Sequence, residues 1–353
     1  MTSIRSAISA LPRARRALFT VALALVATAA LIAQTNQPQV PVWPREPEAP
    51  NAPKPTAAVK ALAEVVGEYE SAATPTQPAH RMIAFEQNKQ MFITVDRGEP
   101  KRASNILINR DKASGAIKGI TIGTAAYARV QVGPENGSQL QVAPVKPVAE
   151  VLKAAQAMTP PKETGTFKPS ELVELTTLDP SITLEGRYAT TNNFLGSIFY
   201  AEARAFLQRP AAEAVVRAAA VLKPLGYGIL VHDGYRPWYV TRAFWDATPE
   251  DKHWLVAVPE EGSKHNRGCA VDLTLYDLAT GEAIDMPSTY DESTPRAYAF
   301  YPGGTSLQRW HRALLRRTME AQGFSVNPKE WWHFDYKDWK SYGIGNVAFD
   351  QIH

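Results

Sequence analysis

The sequence predicts an α+β protein: a small, mostly β region precedes a larger region with a central antiparallel sheet flanked by helices. Three observations carry this. Short apolar runs separated by turn residues fill residues 59–158. Beyond them, helical and strand-like segments mix without the β-α-β rhythm of a parallel sheet. Between the two lies "MTPPKETGTFKPSE" (158–171), rich in Pro, Thr and Lys, which reads as a domain break. The expected division is 1–33, 34–58, 59–158 and 166–353.

The first segment has the layout of a secretory signal. Arg13, Arg15 and Arg16 precede the apolar run "ALFTVALALVATAALIA" (17–33), which holds an Ala27-x-Ala29 pattern. The run is also at the short limit for crossing a hydrocarbon core of ~30 Å, so an uncleaved anchor is the second reading. In both, the folded part is exported, to a periplasmic or other extracytoplasmic location, with no stable membrane span if the signal is cleaved. The formal net charge of +3 owes much to this segment, whose four arginines meet no acid; the remainder holds 34 basic against 35 acidic residues. Such a balance offers no footprint for nucleic-acid phosphates. Cys269 is the only cysteine, so no internal disulfide supports the fold, and its expected role is a small buried side chain.

In "PQVPVWPREPEAPNAPKP" (38–55) a proline stands at every third position. A polyproline II helix has three residues per turn, so the segment reads as a stiff spacer of up to ~55 Å. Next, "AAVKALAEVVGEYES" (57–71) starts helically, and "MIAFEQNKQMFITV" (82–95) reads as two strands around Gln87–Lys89. "NILIN", "GAIKGITIG" and "YARVQVGPENGSQLQVA" continue the pattern, with Asn136–Gly137 a hairpin signal. This region clusters no His, Cys or carboxylates, so a binding or spacing role is expected of it.

From 172 onward "FYAEARAFLQRPAAEAVVRAAAVLKPLG" (199–226) reads as a helix closed by Pro224 and Gly226. "YGILVHDGYRPW" is a strand running into a turn, "GCAVDLTLYD" a strand, "SLQRWHRALLRRTMEAQG" (306–323) an amphipathic helix, and "WWHFDY" (331–336) a final strand.

The chemistry-bearing residues fall in three stretches. In "GSKHNRGCAVDLTLYD" (262–277), period two places Asp272 on the more polar strand face with Ala270, Thr274 and Tyr276. A buried carboxylate needs a partner; His265 alone would make an ion pair, and a metal would make both residues ligands. "PKEWWHF" adds Glu330 and His333. Two imidazoles and a carboxylate form a ligand set suited to catalytic zinc, which leaves Glu330 as a base toward an activated water. "HDGYRPW" presents Arg236, a cation for an oxyanion or a structural partner for Asp233.

Together "DGYRP", Ser263-x-His265-x-x-Gly268-x-Ala270-x-Asp272 and "EWWHF" resemble the D-alanyl-D-alanine dipeptidases, zinc peptidases related to the D,D-dipeptidase of vancomycin resistance. The resemblance extends through "GRYATTNNFLG" (186–196) and "RRTMEAQGF" and spans roughly 172–340. It implies His265, Asp272 and His333 as ligands of one zinc ion, Glu330 as general base and Arg236 as transition-state stabiliser. Asp291 falls near the family's receptor for the substrate amino group, and Ser263 in its substrate-contacting loop. Lys264 departs from the pattern, facing either a substrate carboxylate or solvent. The segment between Arg236 and His265 is shorter than in the resistance enzymes, and "TPRAYAFYPGG" (294–304) replaces a His-rich stretch. The implied activity is hydrolysis of D-Ala-D-Ala in peptidoglycan precursor or wall turnover. The alternatives are a D,D- or L,D-carboxypeptidase or endopeptidase on stem peptides, and a non-catalytic wall-binding protein.

Overall fold

The computed structural model describes residues 53–76, 78–131 and 141–352. The expected signal segment, most of the proline-rich spacer and the Asn136–Gly137 hairpin lie outside the described residues. Among the described residues no helix is long and apolar enough to cross a membrane.

A single helical turn, α1 (Lys60–Ala63), leads into β1 (Gly67–Ser71), β2 (Arg81–Gln87), β3 (Gln90–Val95), β4 (Lys101–Arg102), β5 (Ile106–Arg110), β6 (Ile117–Ile122) and β7 (Ala125–Val130). They form one antiparallel sheet in the order β4-β3-β2-β1-β7-β6-β5. Asn88 and Lys89 close the β2–β3 hairpin with φ of 50° and 63°, the left-handed pair that a two-residue turn needs. Alternation puts Tyr69, Met82, Ala84, Met91 and Ile120 into a core of their own. β2 departs from alternation: Met82 to Glu86 are all buried, because Ile83 and Phe85 on its other face pack against Tyr298 and Tyr301.

The second region begins earlier than the sequence suggests. Helix α2 (Val148–Gln156), placed by the pattern with the β-rich region, buries Val151 and Ala155 in the larger core. There follow β8 (Leu172–Glu174), α3 (Leu175–Leu178), β9 (Thr183–Leu184), β10 (Phe206–Gln208), α4 (Arg209–Leu222), β11 (Tyr227–Asp233) and α5 (Trp238–Ala247), against which α2 packs. The chain ends with β12 (Ala270–Asp277), α6 (Ser306–Ala321), β13 (Phe324–Asn327) and β14 (Glu330–Tyr336). Five strands form the central sheet, β13-β14-β12-β11-β9, antiparallel except for β11 with β9, while β8 and β10 pair separately.

The helix expected over 199–226 starts only at Arg209. Pro210 lacks a donor and belongs in a first turn, and the fully buried Phe206–Gln208 pairs with β8 instead. Helix α6 carries a full capping box, Thr305 accepting from the Gln308 backbone and Gln308 from the Thr305 backbone. Its Leu315 and Met319 are fully buried in the core that also holds Val271, Leu273 and Leu275 of β12.

Candidate active site

The sheet register joins the three stretches. Asp272 on β12 stands opposite Asp233 on β11 and opposite His333 on β14, so the three residues form one row across neighbouring strands. The β11 side of this row depends on a bulge: Val231 pairs with Leu273 and Asp233 with Asp272, leaving His232 as the extra residue. Bulges of this kind re-aim side chains near sites. Beside the row, the loop 262–268 turns at Gly262 and Gly268, both with left-handed φ of 68° and 65°. Asn266, fully buried, staples that loop: its Nδ2 donates to the Arg236 carbonyl at 2.8 Å and to Thr241 Oγ1 at 2.9 Å, and its Oδ1 accepts from Ser263 N–H at 2.7 Å. His265 is thereby held over the row.

Its Nδ1 lies 2.7 Å from the Gly234 carbonyl, which can only accept, so Nδ1 carries the hydrogen and Nε2 presents a lone pair. On His333, Nε2 lies 2.9 Å from Asp335 Oδ1, which fixes the hydrogen there and turns Nδ1 inward. These two inward nitrogens are 3.2 Å apart, and Asp272 Oδ1 is 2.9 Å from His333 Nδ1 and 3.5 Å from His265 Nε2. Three electron pairs converging this closely require a cation between them. Burial opposes charge on His333, yet its bonds to Asp272 and Asp335 hold the ring protonated well above the ordinary histidine range. Burial likewise opposes charge on Asp272, but the two histidines keep it well below the usual carboxylate range. A divalent metal satisfies the same need, and two oriented imidazoles with one carboxylate are a donor set that fits zinc.

A cavity of about 300 Å³ opens in front of this cluster, lined among others by Tyr188, Arg236, Ser263, Asp291, Glu330 and Trp332. The Arg236 guanidinium grips Asp233 Oδ2 through Nε at 3.0 Å and Nη2 at 2.7 Å and lies over the Phe244 ring. Asp233 Oδ1 accepts from Tyr200 Oη at 2.8 Å and from the Gly234 N–H at 3.0 Å; Arg236 is thus paired with Asp233, as one expectation had it, and also lines the cleft. Glu330 Oε2 is 3.7 Å from His333 Nδ1 and accepts from Asn327 Nδ2 at 2.9 Å; burial raises its pKa above the ordinary value.

At the other end Asp291 has a left-handed φ of 59°, a conformation Asp tolerates better than most residues. Its Oδ2 accepts from Phe194 N–H at 3.2 Å and its Oδ1 from Tyr188 Oη at 3.3 Å. Burial, reinforced by the charge of Asp272, pushes its pKa up to about 7. Tyr290 completes a line of oxygens, 3.3 Å from Tyr188 Oη and 3.0 Å from Asp272 Oδ2.

The sequence profile described as D-ala-D-ala dipeptidase matches residues 168–349. The chain belongs to the D-Ala-D-Ala dipeptidase family. It is 34% identical over 175 residues to the D-alanyl-D-alanine dipeptidase of Escherichia coli, an alignment covering 50% of this chain and 89% of that protein. The Enterococcus faecium dipeptidase is 34% identical and the Streptomyces coelicolor one 33%, each over 172 residues, 44% of this chain and 85% of theirs. Membership of the dipeptidase family makes this chain a metallopeptidase, and the family is zinc-dependent. The matched residues contain the whole metal-donor row and the cleft; the seven-stranded sheet lies outside them.

Within this dipeptidase site one expectation needs correcting. Lys264 does not line the cleft: its Nζ is 2.5 Å from Asp335 Oδ2 and lies over the Trp339 ring. Lys264, two residues before the Asn266 staple, reaches toward β14 and holds the carboxylate that orients His333. Cys269 is fully buried, and burial pushes its thiol up to about 12, which leaves it inert. The sequence reading missed Tyr188, Tyr290 and Asp335. Asp335 was accessible, since it shares a strand face with His333 two residues earlier.

Proposed function

We propose that this chain is a zinc-dependent dipeptidase that hydrolyses D-alanyl-D-alanine to two molecules of D-alanine. The observation that carries this reading is the cleft whose floor holds the His265, Asp272 and His333 donors and whose far end closes on Asp291. His265, Asp272 and His333 would hold one zinc ion, which supplies Lewis acidity toward a water and the scissile carbonyl. Glu330 takes a proton from the attacking water as its oxygen bonds to the carbonyl carbon. The same carboxyl returns that proton to the amide nitrogen as the C–N bond breaks. The Arg236 guanidinium, kept in place by Asp233, stabilises the developing oxyanion. Asp291 and Tyr188 receive the ammonium of the first D-alanine, and Ser263 contacts the substrate from the loop.

Asp291 also favours the free dipeptide over a wall stem peptide, because a stem carries an uncharged acyl group where the dipeptide carries an ammonium. The basic and apolar residues 1–33 support action outside the cytoplasm. Metal analysis of the purified protein, with turnover of D-Ala-D-Ala, L-Ala-L-Ala and a stem pentapeptide ending in D-Ala-D-Ala, tests the reading. One zinc per chain and preference for the free D,D-dipeptide are expected. Faster cleavage of the pentapeptide would replace the dipeptidase by a carboxypeptidase, and zinc without any turnover would leave a binding protein.

A further inference from the structure

The seven-stranded sheet is joined to the second region through buried polar groups. Glu68, 4% exposed, accepts from Tyr301 Oη at 3.0 Å through Oε1 and from Arg81 through Oε2 at 2.8 and 3.0 Å. Glu86, 1% exposed, accepts from the Ser306 N–H at 2.8 Å at the start of α6, and its carbonyl accepts from Arg309 Nη2 at 2.8 Å. Buried carboxylates are costly unless hydrogen-bonded, and these two draw partners from residues 301–306. Ile83 and Phe85 add apolar contact with Tyr298 and Tyr301. Gly303 permits this packing, since a Cβ there would stand 2.2 Å from the Tyr301 ring. Tyr298, Tyr301 and Gly303 belong to the stretch "TPRAYAFYPGG" (294–304), and Ser306 follows two residues after it.

From this joint a short path runs to the cleft. Tyr298 lines the cavity. Its neighbour Ala299 donates its N–H to the Pro328 carbonyl at 3.1 Å, in the turn between β13 and β14. Asn327 of the same turn donates to Glu330 Oε2 at 2.9 Å. We infer that the N-terminal sheet is a positioning element of the active site: through residues 298–301 it fixes the 327–330 turn and so the aim of the Glu330 carboxylate. Glu68, Phe85 and Tyr301 are then positioning residues for the reaction. This rests on the reading of Glu330 as general base, a group that must lie within hydrogen-bond reach of the proton it moves.

Full-length Tyr301→Phe and Glu68→Ala test it, with kcat and KM for D-Ala-D-Ala and bound zinc measured together. Both are expected to lower kcat about tenfold, since small displacements of a reacting group are costly, with KM and zinc content held. Glu68→Gln, whose amide oxygen still accepts the Tyr301 hydroxyl, is expected to retain most of kcat. Phe85→Leu trims only apolar contact and should lower kcat about twofold by the same route, which covers the case in which a polar variant does not fold. Wild-type kcat in folded, zinc-bearing Glu68→Ala or Phe85→Leu would overturn the inference. Glu330→Gln run beside them separates the layers: full turnover there removes the base reading itself, whereas lost turnover there with unaffected sheet variants removes only the brace.

Discussion

The two large sheets of this chain bury charge in opposite ways. In the five-stranded sheet, Asp272 and His333 share a row and aim donor atoms at one another, with His265 closing over them. Their arrangement calls for a cation among the donor atoms, a metal ion or a proton. In the seven-stranded sheet, Glu68 and Glu86 are as deeply buried, but side chains and N–H groups of the protein satisfy them. One set of buried charges is therefore open and chemical, the other closed and cohesive. Burial alone does not distinguish a site from a joint; what distinguishes them is whether the chain's own donors satisfy the buried charge.

The largest expected effect probes the open set. Glu330→Gln should lower kcat about 10³-fold, within the range of general-base loss, with zinc content unchanged, whereas His333→Ala should lose zinc and turnover alike. Equal metal loss in the two, read by elemental analysis, would undo the division between base and ligand. Arg236→Ala comes next: kcat should fall about 10²-fold. Because Asp233 is left buried without its cation, stability should drop by about 3 kcal/mol, read by urea denaturation.

Glu86→Ala tests the closed set. It strips an acceptor from the α6 N-terminus and should cost about 2 kcal/mol of stability while leaving the zinc stoichiometry intact. A loss of zinc instead would mean that the joint supports the metal donors as well as the Glu330 turn.

The pH dependence of KM is a subtler probe. Burial pushes the Asp291 pKa up to about 7, so the carboxyl loses charge as pH falls through that value and affinity for the dipeptide ammonium should fall with it. It should fall again above ~8, where the substrate's own amine deprotonates. Asp291→Asn should abolish the acidic limb. The smallest effect is expected of Lys264→Ser, which frees Asp335 and loosens His333: about a twofold weakening of zinc affinity, below the range for loss of a direct partner of a ligand, read by chelator competition. Altered preference among dipeptide carboxylates would instead return Lys264 to the substrate.

Much of the site was legible because its spacings are local. His265 to Asp272 and Glu330 to His333 each lie within one short loop-strand unit, so both members of each pair stand in a single stretch of sequence. The partners that complete the site come from distant elements. Tyr188 and Tyr290 reach it through turns whose direction no periodicity encodes, and Asp233 joins the row only through the His232 bulge. Errors in the fold have the same origin. The alanine-rich stretch before Arg209 has helical composition, yet tertiary pairing with β8 makes Phe206–Gln208 a strand. Helix α2 looked like the end of the β region until its apolar face met α5.

The line of four oxygens from Asp272 through Tyr290 and Tyr188 to Asp291 has three gaps, of 3.0, 3.3 and 3.3 Å. Each phenol supplies one hydrogen. With both acids ionised, each phenol turns to its own carboxylate and the central gap has none. A proton on Asp291 lets every hydroxyl point the same way, ending on Asp272. On the proposed reading, an ammonium docking against Asp291 would expel that proton and reverse the Tyr188 hydroxyl. Substrate capture would then be an exchange of one cation for another, and calorimetry in buffers of unequal ionisation heat at pH near 7 should read the released proton; no proton release would break the line at Tyr188.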